Sequence, residues 1–557
     1  MPGSRPAIGK DQLILSKSFL AFCLFAVCCA GVVYAQTSAR LERLTGIPVR
    51  VVSAAPLPPP RGLQAHVKNG NLVLSLDDAI SLALQNNTDI KIANAPVQLA
   101  QNTLHGAYSP FDPQLLSSFN STRTKTPTTS QLQGAAVENS LSQETEFSYS
   151  EEFQTGTNFQ TSFYVDKYST NSDYYFLNPS FNTTLQFTVT QPLLRDFGLT
   201  PNRAPILIAR RALRQSHAEF EIEVNTVVLN LVTQYWTVVF DRENLAVQHK
   251  SLDDAQRSND RDKKELSLGA VAIVDTYRSE AQVASRRLSF IQAEYTLKQD
   301  EDTLRRIIGA DLDSSVRVME MQLTENPDPS GELTAVDIGA SQTRALANRP
   351  ELEQARLQLE NDESNLRLAH NNLRPDLELS GSYGGSGIGG TEYDLSVTPP
   401  ALLSQGGFSN SVSQAFHFSY PTYSVSLSLN LPIRNRTAEA NLGNAMVNRK
   451  TDQYHQRGIT QGILLDVSNA AHRVEQAELS IAAAKISTDL ARKSSHAEER
   501  KQQLGDESVF FVLEAQTELA QAEASLVQAE VNYQQALANL DRATGDLLQR
   551  HNIQLSH

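Results

Sequence analysis

The chain repeats itself. Ala83-Leu84-Gln85-Asn86-Asn87-Thr88-Asp89-Ile90 matches Ala345-Leu346-Ala347-Asn348-Arg349-Pro350-Glu351-Leu352. At the same offset of 262, Leu104 meets Leu366, Pro113 meets Pro375 and Leu115 meets Leu377. A second match, offset by 236, sets Leu268-Gly269 against Leu504-Gly505 and Gly309 against Gly545. A third sets Gln191-Pro192-Leu193 against Leu431-Pro432-Ile433. The matches keep their order, so the chain carries two copies of one long unit, at 75–323 and 333–548. The Pro- and Asp-containing stretch 324–332 links them. A period of about 240–260 residues is far too long for a solenoid. It points to a duplicated subdomain with pseudo-twofold symmetry.

Each unit reads the same way. A helix of about 35 residues comes first, 76–109 or 335–373. A Pro-led extended segment follows, Pro113 to Thr122 or Pro375 to Tyr383. After a polar region, a strand ends at Pro192 or Pro432. In Tyr423-Ser424-Val425-Ser426-Leu427-Ser428-Leu429-Asn430-Leu431 the alternation is complete, and Leu185-Gln186-Phe187-Thr188-Val189-Thr190 repeats it. Period-two alternation of this length is a half-buried strand. Its apolar face meets either a second sheet or lipid. Four such strands per chain are too few to close a membrane barrel of eight or more, so a membrane reading requires several copies. Phe147 to Val165, centred on Thr155-Gly156-Thr157, reads as one more hairpin, either extra wall strands or an external excursion.

Proline-free stretches follow, from Pro205 to Leu268 and from Arg436 to Leu504. Each of these helices would run ~100 Å at about 1.5 Å per residue. Rods that long demand coiled-coil partners. The return helices, Gly269 to Gly309 and Gly505 to Gly545, supply them. The second carries eight alanines between Ala515 and Ala543, interleaved with Leu513, Leu519, Leu526, Val531, Leu537 and Leu540. Such a stripe favours close helix packing. Tyr235 and Trp236 inside the first rod read as packing residues.

Composition narrows the class. The 557 residues are 40% hydrophobic and 20% charged, which excludes a wholly disordered chain. A formal net charge of −14 argues against nucleic-acid binding. One long apolar run is too few for a polytopic helical membrane protein. A mean hydropathy of −0.33 does not exclude a β-barrel, whose alternating strands barely move the average. The apolar run itself, Phe19 to Val33, follows Lys10 and Lys17 and precedes Val33-Tyr34-Ala35. That is the layout of a signal peptide over 1–35. A Pro-containing extension over 36–74, with Pro58-Pro59-Pro60, would come next, and a short tail, 549–557, would close the chain. All three cysteines, Cys23, Cys28 and Cys29, lie in the leader, so the exported chain would have neither disulfides nor thiolate sites. Neither Cys28 nor Cys29 has the preceding residues a lipidation site needs. The eleven histidines show no zinc spacing, no Ser has a nucleophile-elbow context, and the Gly384–Gly390 cluster is not a phosphate cradle. No enzyme and no cofactor is expected.

The repeated order of helix, strand, strand and long helical hairpin resembles the TolC-like outer-membrane efflux family. The residues carrying the likeness are Leu76-Asp77-Asp78-Ala79 with Ala83-Leu84-Gln85-Asn86-Asn87, Pro113-Gln114-Leu115, Pro375-Asp376-Leu377, Gln191-Pro192-Leu193 and Leu431-Pro432-Ile433. The hairpin tips add Leu268-Gly269-Ala270-Val271-Ala272-Ile273-Val274-Asp275 and Leu504-Gly505-Asp506-Glu507-Ser508-Val509. The resemblance implies a mixed α and β membrane protein. Three chains, giving four strands each, would close a 12-stranded outer-membrane barrel above a periplasmic α-helical coiled-coil barrel. It implies a passive channel-tunnel for efflux or secretion, working with a periplasmic adaptor and an inner-membrane pump. The alternative is a non-conducting periplasmic coiled-coil interaction protein.

The resemblance also assigns the tips. Gly269, Ala270, Val271, Gly505, Asp506 and Ser508 would face the adaptor. Asp275, Glu507, Phe511 and Glu514 would line the periplasmic entrance. Glu514 holds one of the family's acidic ring positions, and Phe511 stands at the other. The family's closing salt bridge would join Asp275 to an Arg at the position of Glu507. Two carboxylates cannot pair without a proton or a bridging cation. A different latch is therefore expected, with Phe511 as an apolar constriction.

Overall fold

The computed structural model describes residues 57–128, 134–172, 175–269, 271–329, 336–394, 396–397, 401–504 and 508–555. The expected signal peptide lies outside the described residues, as do most of the extension, residues 330–332 of the linker, and Ala270, Gly505, Asp506 and Glu507.

Two short strands, β1 (Val67–Lys68) and β2 (Asn71–Leu74), follow a helical turn at Leu63–His66. β2 pairs in parallel with β7 (Met321–Leu323). This three-stranded sheet ties the end of the first repeat to its beginning. Its apolar side closes over Leu231, Tyr235 and Leu304, all fully buried, and the Tyr235 hydroxyl donates to the Leu74 carbonyl at 3.1 Å. Tyr235 and Trp236 are core residues, as expected.

The first helix of each repeat is not continuous. The first repeat breaks into α1 (Leu76–Asn86), α2 (Thr88–Ala93) and α3 (Ala95–Gly106). The Asn87 side chain caps α2 by accepting from the Asp89 and Ile90 amides, and Pro96 opens α3 without an N–H to offer. The second repeat breaks into α6 (Ile338–Asn348) and α7 (Pro350–Asn372) at Pro350 for the same reason.

The broken ends explain the internal repeat. Asn87 Nδ2 donates to the Ile307 carbonyl at 2.9 Å. In the second repeat the equivalent residue, Arg349, donates to the Ala543 carbonyl at 3.4 Å. Just beyond those carbonyls stand Gly309 and Gly545, with φ of +74° and +78°. A Cβ on either would lie 2.7 Å from the Cβ of Asn86 or 3.0 Å from that of Asn348. The paired Asn and Gly motifs are thus two halves of one contact made twice.

The rods are as long as expected. α4 (Leu199–Ser267) and α9 (Arg436–Leu504) have 69 residues each, ~100 Å. α5 (Ile273–Ile307) and α10 (Val509–Thr544) return along half of each. α7 packs against both long rods where the return helices end, so two shorter helices match one long one. Seven of the eight alanines between Ala515 and Ala543 are buried in the seams. Glu523 on α10 accepts from Lys250 of α4 at 3.1 Å and from Arg492 of α9 at 3.4 Å, joining the two hairpins.

The main sheet is antiparallel throughout. Its order is β10-β8-β6-β5-β4-β3, with the short β9 (Ala401–Gln405) beside the far end of β8. The long strands are β3 (Gln114–Pro127), β4 (Val137–Glu152), β5 (Asn158–Thr170), β6 (Leu177–Pro192), β8 (Asp376–Asp394) and β10 (Tyr420–Asn430). The sheet of one chain thus carries six long strands, two more than the four expected for the barrel wall. The hairpin around Gly156 lies within the sheet, between β3 and β6, rather than outside it. The two repeats differ here: the first gives four long strands and the second two. The remaining short helices are α8 (Phe408–Phe416) and α11 (Leu547–Arg550).

Candidate conduit: a two-faced sheet above helical hairpin ends

Strand register sorts the sheet residues into two faces. Phe119, Phe147, Tyr149, Phe159, Phe163, Leu185, Phe187, Val189, Leu379, Tyr383, Val425, Leu427 and Leu429 share one face. Several are open to the surroundings: Tyr423 is 80% and Val425 79% exposed. An exposed apolar face this broad requires a partner or a bilayer. The opposite face is mainly Ser, Thr, Asn, Gln and acid, with Tyr164 and Tyr168 among them: Glu144, Glu146, Ser162, Asp166, Thr188, Ser382 and Ser426 all lie on it. No Lys or Arg of these six strands is on the polar face. Arg123, Lys125 and Lys167 are all on the other, toward the end away from the helices.

Helix α8 covers the far end of the apolar face. Gly385, Gly387 and Gly389 of β8 let its backbone approach, and a Cβ at Gly387 would lie 2.0 Å from the Ser411 carbonyl. Phe416 packs on Phe163 and Phe408 on Phe181, while Ser411 and Thr183 share a hydrogen bond of 2.9 Å.

The sheet joins the rods through a polar knot. Arg195 donates to Asp376 at 2.6 Å. Asn371 donates to Asp196 Oδ1 at 2.7 Å, and Asn202 donates to the Asp196 carbonyl at 2.8 Å. The knot fixes where β6 enters α4 and where α7 enters β8.

At the opposite end of the rods stand the hairpin tips. Gly269 turns the first with φ +76°, as expected from its sequence position. Asp275, in the first turn of α5, pairs with Arg278 of the same helix at 3.5 Å. Ser508 is the N-cap residue of α10. Phe511 follows it and is 47% exposed, in edge contact with Phe510 at 5.4 Å between ring centres. Phe510 was not singled out from the sequence, yet it is equally exposed, and adjacency to Phe511 was its only signal. Glu514 lies one turn on and shares a groove of about 710 Å³ with Arg278, Gln282 and Thr517. The groove sets Glu514 of α10 near Arg278 of α5 and is lined by Phe510, while Asp275 and Phe511 are not among its lining residues. Val271, half-buried, lies at the bend just before α5.

Buried acids run along the seams. Asp262, fully buried between α4 and α5, sits among Ser258, Asn259, Thr276 and Ser279, and burial pushes its carboxyl up. Higher on the same pair, burial and the adjacent Asp300 push Asp241 up to about 7. Between α7 and α9, burial and Asp452 push Asp362 up to about 6. Among the described residues no group of three His, Cys, Asp or Glu is placed to hold a metal, and no helix is long and apolar enough to cross a membrane.

Comparison with known proteins agrees with this architecture. The outer membrane efflux protein family matches residues 79–310 and 342–546, one segment in each repeat. Outer membrane protein TolC of Escherichia coli (strain K12) is 24% identical over 345 residues, taking in 60% of this chain. The chain spans 64% of that relative's length. Among solved structures, the CmeC outer membrane channel of Campylobacter jejuni superimposes with a TM-score of 0.60 at 16% identity, covering 85% of this chain and 86% of that one. VceC of Vibrio cholerae gives 0.59 at 16%, covering 84% and 96%. The open state of the Neisseria gonorrhoeae MtrE channel gives 0.58 at 16%, covering 85% and 89%. At these identities the superpositions speak for the fold, and the match across both repeats speaks for descent: the chain belongs to the outer membrane efflux protein family.

Proposed function

We infer that this chain is one subunit of a passive outer-membrane exit duct. Three copies would close a barrel through their sheets and a periplasmic tunnel through their rods. A periplasmic adaptor and an inner-membrane pump would deliver cargo to it. One observation carries the reading: a sheet with a broad, largely exposed apolar face and a cation-free polar face stands on helices ~100 Å long. The bilayer accepts sheets only when they close and leave no edge. A soluble coiled-coil protein would have no use for the bare apolar face. The test is fractionation followed by electrophoresis without boiling. The protein should partition with outer membranes, run as a heat-sensitive trimer and form ion-conducting pores in planar bilayers. A soluble periplasmic monomer would sink the proposal.

At the entrance, the reading assigns an aromatic latch. With Asp275 engaged by Arg278 of its own helix, no salt bridge to the second tip is needed for its charge to be met. Phe511, with Phe510 beside it, would narrow the mouth, and Glu514 would set a ring of charge just inside. Gly269, Val271 and Ser508, together with Ala270, Gly505 and Asp506, would meet the adaptor. Phe511→Ala should raise single-channel conductance, whereas an unchanged conductance would remove Phe511 from the latch.

A further inference from the structure

We propose that β4 and β5 are wall strands of the pore, so that three copies close an 18-stranded barrel. The proposal rests on the trimeric duct reading for its multiple of three. It does not rest on it for the six strands per copy.

Three observations place the hairpin in the wall. First, pairing is unbroken on both sides. β3 meets β4 from Gln114–Ser150 to Pro127–Val137, β4 meets β5 from Glu152–Asn158 to Ser140–Thr170, and β5 meets β6 from Asn158–Thr190 to Tyr168–Ser180. Second, the inserted strands keep the two faces of their neighbours. Phe147, Tyr149, Phe159, Phe163 and Val165 continue the apolar face, while Glu144, Glu146, Ser162 and Asp166 continue the polar one. An external flap has no reason to carry both faces in register. Third, the turn between them is seated at the helix-side end. The Gly198 amide donates to the Thr155 carbonyl at 3.1 Å, and Thr157 bonds the Gln191 side chain. A Cβ on Gly156, at φ +83°, would lie 2.6 Å from the Asp196 carbonyl. The turn therefore packs into the sheet–rod junction.

The count closes. An inserted pair leaves the up-and-down order intact, so the two free edges, β3 and β10, still run in opposite directions. β3 of one copy can then pair antiparallel with β10 of the next. Every residue of both edge strands is exposed in the single chain. With strands about 4.8 Å apart and tilted about 40°, 12 strands give a backbone diameter of ~24 Å and 18 give ~36 Å. The exit would have roughly twice the cross-section.

Single cysteines test this in the exported chain, whose wild-type cysteines all lie in the leader. Cysteines replace Glu144, Ser162 and Asp166 on one face, and Phe147 and Phe159 on the other, clear of the part that α8 covers. Each purified variant, in lipid vesicles, is spin-labelled and challenged with a water-soluble nickel quencher and with oxygen. Native mass spectrometry of the wild-type protein gives the copy number. The wall assignment expects nickel access at 144, 162 and 166 and oxygen access at 147 and 159. Nickel access on both faces overturns it, because the hairpin then stands outside the membrane. Alternating access with a copy number other than three supports six wall strands per copy and overturns the trimer instead. Should a Phe variant fail to fold, the polar-face series still decides: those three sites must differ from Tyr149→Cys, on the same hairpin.

Discussion

Replacing Asp241 by Asn tests the electrostatics of the rods most sharply. Asp241 lies on α4, 5% exposed, and its Oδ2 has no hydrogen-bond partner. Across the seam, Asp300 of α5 accepts from Gln234 at 3.0 Å. Burial first, and the second carboxyl next, push Asp241 from 3.8 to about 7. The folded value lies above the unfolded one, so the folded chain holds this proton longer. The carboxyl's contribution to stability is therefore full below about pH 4 and is lost as pH rises through 7. A displacement of that size corresponds to about 4 kcal/mol once the group is ionised in both states. More than half of it should vanish between pH 5 and pH 8. Asn keeps the shape and carries no charge at either pH. The assay is unfolding of detergent-solubilised wild type and Asp241→Asn, followed by helical circular dichroism at fixed ionic strength from pH 5 to 8. The variant should gain on the wild type by about 2 kcal/mol or more across that range. A gap that stays flat with pH would refute the buried-acid argument, whatever its sign.

Gly309→Ala and Gly545→Ala should each lower thermal stability, because left-handed backbone costs a Cβ-bearing residue about 1–2 kcal/mol and the new methyl group meets an Asn Cβ. Gly443→Ala in α9, where a Cβ meets nothing, should instead raise it by up to about 1 kcal/mol, and calorimetry of the three variants checks the contrast. Asp262→Asn should stabilise the α4–α5 hairpin at pH 7 and above but not at pH 4, since a raised carboxyl weakens the fold as pH climbs; hydrogen exchange at the tip reads the difference. Glu144→Gln, Glu146→Gln and Asp166→Asn together should shift the reversal potential in a salt gradient toward zero, because a cation-free polar face lined with carboxylates favours cations. An unmoved potential would place the selective charge elsewhere in the pore.

The helical half was legible because its contacts are made by particular residues. Asn86 and Asn348 recur because each must fit against a glycine, and Gly309 and Gly545 recur because only glycine leaves that space. The alanine seam was legible because packed helices need small residues at regular spacing. The helix breaks at Asn87 and Pro350 were not drawn, although both signals were present, because the apolar period runs across them. At the entrance, the turn at Gly269 could be read, but the Asp275–Arg278 pair lies within one helix and no inter-repeat pattern reports it. In the sheet, β4 and β5 alternate as cleanly as β6. Their polar face carries Glu144, Glu146 and Asp166, acids that suit a loop until the register sets them on the same face as the Ser and Thr of β6 and β8. The sequence offered Phe147 to Val165 as a hairpin, but alternation alone could not say whether it pairs into the sheet or stands outside it; only the register decides that.

The unequal strand count of the two repeats is itself physically sensible. A repeat can lose symmetry only where symmetry is not holding its contacts together. The rods cannot gain or lose an element without breaking the Asn–Gly contacts and the Glu523 bridge that fix each helix against its neighbours. A sheet has no such restriction. Two strands added between β3 and β6 leave β6 pointing into α4, β8 leaving α7, and both edges free to pair. One added strand would reverse every later direction and detach the sheet from the rods. Even insertions are therefore the only cheap ones, and their cost falls on a single place, the junction where a wider wall meets an unchanged set of helices. There the chain concentrates its most specific polar contacts. Asp196, at φ +60°, receives Asn371 and Asn202, and its carbonyl closes over Gly156 of the inserted turn. The extra hairpin is locked to the same residue that joins strand to rod, so width was added to the sheet without loosening its hold on the helices.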